Sequence, residues 1–158
     1  MPLSIIYVKK MKLDGSNPTL LSGYGAYGIP LSPFFEPTRL AWHEKGSVYA
    51  VCHVRGGEYG EEWHLAGKEA TKPNTWKDFI ACAGYLIDQK YTSPAHLAGE
   101  GDIAGGILIG RAITEQPDLF AAAVDQVGWS DMERNETTAN GVHPRVRWQQ
   151  NGRRCQRP

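Results

Sequence analysis

Gly99-Glu100-Gly101-Asp102-Ile103-Ala104-Gly105-Gly106 lies between a short apolar run at residues 96–99 and an apolar-periodic run at residues 104–115. That order predicts a strand, a glycine-rich turn and a helix. Parallel α/β sheets carry their chemistry on such units, at the carboxyl end of the strand. Two readings of the turn compete. As Gly99-x-Gly101-x-x-Ala104 it fits a dinucleotide fingerprint, with pyrophosphate on the helix N-terminus and Asp125 holding a ribose. Glu100 and Asp102 oppose this, since two carboxylates would face the phosphates. As Gly101-x-Ile103-x-Gly105 it has the outline of a nucleophile elbow, where small residues flank one exposed side chain. Ile103 then takes the central place. It is β-branched, ill suited to a strained backbone position, and has no nucleophilic atom.

The flanking sequence alternates in the same way. Strands are expected at residues 3–9, 19–23, 47–53 and 121–127 from their apolar and β-branched content. Helices are expected at residues 35–45 and 76–90. In the latter, Phe79, Ile80, Ala83, Leu86 and Ile87 share one face, Asn74 or Thr75 is a candidate cap, and Gly84 is a weak point. Short connections between them predict an α/β fold: a mostly parallel sheet with helices on both faces. A second glycine-rich loop, Gly23-Tyr24-Gly25-Ala26-Tyr27-Gly28, follows a strand, but Pro30 and Pro33 forbid a helix where a phosphate would need one.

The 158 residues are 41% hydrophobic and 22% charged, which excludes disordered and fibrous classes and fits one folded unit. The net charge is zero, and this removes the electrostatic case for a nucleic-acid or membrane-surface partner. The balance is uneven. Arg145, Arg147, Arg153, Arg154 and Arg157 crowd the last 17 residues without an acid, leaving 12 basic against 17 acidic side chains in residues 1–141. Cys52, Cys82 and Cys155 are distant and odd in number, so no disulfide framework or thiolate metal site is expected, and no His pair has metalloprotease spacing. Without a signal-peptide pattern, a reduced, cytoplasmic protein follows.

Between the two readings of the turn, longer stretches decide. Gly23–Gly28, Val54–His64, Lys72–Ile87, Tyr91–Gly99, Ala104–Ile113, Pro117–Val124 and Glu136–Gly141 occur in the order found in the prolyl oligopeptidase family of serine peptidases, which residues 1–141 resemble. The resemblance implies part of an α/β-hydrolase catalytic domain that cleaves short peptides after proline by acyl transfer, without a cofactor or metal. It places the elbow at Gly101, Asp102, Ile103, Ala104, Gly105 and Gly106. It also makes the Tyr24 hydroxyl and the Ala104 N–H the oxyanion donors. Relatives carry Ser where Ile103 stands, and their triad Asp and His come later in the chain. The chain is therefore expected to be inactive as it stands. A nucleotide-binding unit and a non-catalytic fragment that self-associates through its sheet edge are the rivals.

Relatives read Gly-Thr-Ser-Ala at the elbow. One base inserted after the first codon and one lost two codons later turns this into Gly-Asp-Ile-Ala, as at Gly101–Ala104. Residues 142–158 are likewise expected to be a disordered basic tail read out of frame.

Overall fold

The computed structural model of the chain describes residues 1–129 and 131. The expected basic tail at 142–158 lies outside the described residues. Five strands form one sheet in the order β1-β3-β2-β4-β5: β1 (Leu3–Ile6), β2 (Thr19–Ser22), β3 (Val48–Cys52), β4 (Leu97–Asp102) and β5 (Ala122–Gln126). Among the described residues only β1 runs antiparallel, against β3; the other three pairings are parallel. The α-helices are α1 (Pro37–Glu44), α2 (Glu61–Leu65), α3 (Pro73–Asp88) and α4 (Gly105–Glu115).

All five residues of β3 are buried, as a strand covered on both faces requires. The pleat sends Ala50 and Cys52 to one side, where they join Leu21, Leu97, Phe79, Ala83, Leu86, Leu108 and Ile109 in the main core beneath α3 and α4. Tyr49 points to the opposite side, where α1 lays the Arg39 guanidinium 3.9 Å from its ring centre. The Trp42 indole N–H, also from α1, donates to the Val48 carbonyl at 3.0 Å. Helices thus cover both faces, as expected.

Several boundaries differ from the sequence expectation. Strand β4 runs on to Asp102, because its parallel pairing with β5 continues through Gly101↔Asp125 and Asp102↔Gln126. Gly99 and Gly101 are therefore strand residues, which removes the loop the dinucleotide reading needs. Helix α3 starts three residues before the expected Trp76, on Pro73, which fixes the first helical φ. Asn74 and Thr75 do not cap it. Their side chains reach back instead, Asn74 to the Ala66 carbonyl at 2.8 Å and Thr75 to the Arg55 carbonyl at 2.9 Å. Gly84 leaves α3 unbroken. Helix α2 was not expected, since five residues are too few for periodicity to register.

The expectation of unpaired thiols is also corrected. Cys52 at the end of β3 and Cys82 on the buried stripe of α3 form a disulfide, with Cα atoms 6.2 Å apart. Thirty residues separate them in sequence, and only the packing of α3 on β3 makes them neighbours. The cytoplasmic expectation rested in part on reduced cysteines and loses that part of its support. Among the described residues no helix is long and apolar enough to cross a membrane.

Closing a loop of this size should stabilise the fold by about 3–4 kcal/mol on the chain-entropy model. Urea denaturation with and without a thiol reductant measures it: the reduced chain should unfold at clearly lower urea.

Candidate active-site elbow

Strand β4 ends at Asp102 and α4 begins at Gly105, so the chain reverses from strand to helix across Ile103 and Ala104. Ile103 has φ +51°, in the left-handed region that β-branched residues avoid. Its N–H donates to the Gln126 carbonyl at 2.9 Å, and its own carbonyl accepts from Gly106 at 3.1 Å. These bonds hold the turn closed, and the Ile103 side chain stands out from it, 45% exposed. The turn is that of an elbow, with a hydrocarbon at its tip.

Two glycines make so sharp a turn sterically feasible. A Cβ on Gly101 would run into the Gly105 carbonyl, and one on Gly105 would sit 2.9 Å from the Gly23 carbonyl oxygen and 3.4 Å from the Tyr24 Cα. The second contact joins the elbow to the Gly23–Gly28 loop. Tyr24 therefore stands beside the start of α4. Burial raises its pKa, and the charges of Tyr27 and Asp102 add to the rise. A phenol so placed stays protonated and able to donate at neutral pH. Ala104 and Gly106 are buried at the head of α4, and Asp102 is exposed. The structure thus brings together Tyr24, Gly101, Asp102, Ile103, Ala104, Gly105 and Gly106.

Glu100, read as an obstacle to phosphate, sits half-buried on the α1 side of the sheet. Burial raises its pKa, opposed by the Arg39 charge and a hydrogen bond from Ser22. Gln126 donates to it at 3.2 Å.

Sequence reasoning missed Lys72, although its place just before Pro73 is a signal of sorts. Only 4% exposed, it donates from Nζ to the Gly25 carbonyl at 2.8 Å and so anchors the loop that carries Tyr24. Burial pulls its pKa down to about 8. Beside it, Arg55 clasps Asp78 of α3 through two side-chain bonds of 2.8 and 2.7 Å, fixing the loop after β3.

This mostly parallel sheet, sharply turned after β4 and flanked by helices, places the chain among α/β-hydrolase catalytic folds. Residues 33–157 match the model of the prolyl oligopeptidase family, and the chain belongs to that family. It is 45% identical over 141 residues to a prolyl endopeptidase of Elizabethkingia meningoseptica, covering 88% of this chain and 20% of that one. It is 42% identical over 133 residues to protease 2 of Moraxella lacunata, covering 84% and 19%. Among solved structures, a post-proline cleaving enzyme from Rickettsia typhi superposes with a TM-score of 0.89 at 34% identity, over 96% of this chain and 22% of that one. Oligopeptidase B from Trypanosoma brucei, with covalently bound antipain, gives 0.86 at 41% identity, over the same shares. The chain spans about a fifth of the length of these relatives.

Two outcomes follow from the geometry. Ile103→Asn, which tolerates a left-handed backbone, should raise unfolding free energy by about 1 kcal/mol, whereas Ile103→Val should not. Chemical denaturation of the three chains compares them. For Lys72, the folded-state pKa of about 8 lies below the unfolded value of 10.5, so burying its charge costs stability in full below pH 8. The cost fades as pH rises toward the unfolded value. Relative to Lys72→Met, the unaltered chain should gain about 3 kcal/mol across that window. A gain on acidification would contradict the assignment.

Proposed function

We propose that the 158-residue chain retains the scaffold of a peptidase that cleaves after proline but does not itself cleave peptide bonds. The observation that carries this is Ile103, a saturated side chain at the tip of the elbow, where the family resemblance calls for the attacking hydroxyl. In acyl transfer that hydroxyl adds to the scissile carbonyl, a base takes its proton, and preorganised N–H and O–H donors hold the oxyanion that forms. Tyr24 and the Ala104 N–H are the donors in this reading. Donors without a nucleophile do not supply triad chemistry, because these groups act as a unit.

Residues 142–158 are, on this reading, a basic extension translated out of frame, and Asp102-Ile103 is a two-codon slip. Nucleotide sequencing tests this: the idea fails if single-base shifts do not recover the family pattern at both places. A second reading, a non-catalytic partner that pairs with another copy of itself, draws on β5. It lies at one end of the sheet among the described residues, and all five of its residues are exposed.

A chromogenic prolyl peptide tests the main reading. The 158-residue chain should leave it uncleaved above the buffer rate. Turnover by the unaltered chain would overturn the proposal.

A further inference from the structure

Away from the elbow, the antiparallel pairing of β1 with β3 assembles a second group of chemistry-bearing side chains. Ser4 lies opposite Val51. His53 is two residues farther along the same strand direction, with its N–H on the Pro2 carbonyl at 3.1 Å. A two-residue offset keeps Ser4 and His53 on one face of the sheet as diagonal neighbours. Their side chains meet, Ser4 Oγ to His53 Nε2 at 2.8 Å. On the other side of the ring, His53 Nδ1 sits 3.0 Å from Glu58 Oε2, close but off the line of a well-aligned hydrogen bond. The His53 and Glu58 side chains are both about nine-tenths buried, at 10% and 8% exposed.

Glu58 is held in place at a cost. Its φ is +54°, and its other carboxylate oxygen accepts the Leu31 N–H at 2.9 Å. Strained, non-glycine backbone that surroundings over-determine is a feature of working sites. A carboxylate beside Nδ1 favours the tautomer that is protonated there, which leaves Nε2 free to accept the Ser4 proton. Ser4 itself is partly exposed. Ladder alternation, set by the His53–Pro2 bond, turns the Ser4 N–H toward β3 and the Ile5 N–H away from it. The residue after Ser4 thus presents a donor on the outer side of β1.

We propose that Ser4, His53 and Glu58 form a second nucleophilic site, with Ser4 as nucleophile, His53 as base and Glu58 as the residue positioning His53, that accepts acyl groups from small activated esters. Ser4 Oγ adds to the carbonyl carbon as its proton passes to His53 Nε2. The carbon–oxygen bond to the leaving group breaks, and that oxygen departs with the proton, giving acyl-Ser4 and a free phenol. Water then adds to the acyl carbon and gives a proton to Nε2. Ser4 Oγ leaves, recovers that proton, and the carboxylic acid is released. This site shares no residue with the elbow and does not depend on Ile103.

An alkyl fluorophosphonate, which loses fluoride to a reactive serine, is the direct probe. After tryptic digestion, the adduct should appear on residues 1–9, where Ser4 is the sole serine. It should vanish when labelling is done in denaturing urea, and pre-treatment with 4-nitrophenyl acetate should block it. Ser4→Ala should abolish it, and His53→Gln should slow it about 100-fold. Glu58→Gln, which can keep the Leu31 bond, should slow labelling at least tenfold without shifting the urea midpoint. No adduct on residues 1–9, an adduct that persists in urea, or a labelling rate indifferent to His53→Gln would each overturn the proposal. Because the probes are not prolyl peptides, failure here leaves the proposed loss of peptidase activity standing.

Discussion

The rest of the structure depends on how closely the backbone of β4 and that of α4 approach at the turn between them. Gly101 faces the Gly105 carbonyl, and Gly105 faces Gly23 and Tyr24, with no room for a Cβ at either position. That contact fixes where α4 leaves the sheet. It also brings the Tyr24 loop to the helix start and forces the residue between into a left-handed backbone. Ile103 is a poor occupant of such a position, with strain on the order of 1–3 kcal/mol, yet the two glycines and the bonds to Gln126 and Gly106 leave it no other course. The elbow is a property of the glycines and the strand pairing. It forms with isoleucine at its tip.

That separation explains which parts were legible in the sequence. Among the described residues, alternating apolar patterns located every strand and the three longer helices, because burial of one face imposes its period on the sequence. The family resemblance drew attention to Tyr24, Ile103 and the glycines around them, which the fold brings together. Element ends were less legible. Nothing local to Glu100-Gly101-Asp102 says that β4 continues there; the pairing with β5 decides it, and that is a long-range fact. Thr75 was similarly misread, since it lies inside the first turn of α3 and its hydroxyl donates to the Arg55 carbonyl rather than capping the helix.

What the sequence concealed was mostly a matter of partners brought together across the sheet. Cys52 and Cys82 pair because a strand end meets a helix stripe. Lys72 becomes a buried anchor only once the Gly25 carbonyl is folded over it. Ser4, His53 and Glu58 stand 54 residues apart from end to end, in stretches with no motif in common, and meet through antiparallel register and one left-handed residue. Spacing rules look for chemistry along the chain and are blind to all three.

The family's fold therefore persists here with a hydrocarbon side chain at the tip of the turn after β4, and the backbone at residue 103 is where that claim is most exposed. A crystal structure of the 158-residue chain measures it directly. A positive φ near +51° at Ile103, with its N–H on the Gln126 carbonyl, is the expected result. A right-handed or extended Ile103, with α4 displaced from Tyr24, would mean that the sharp turn does not hold with isoleucine at its tip.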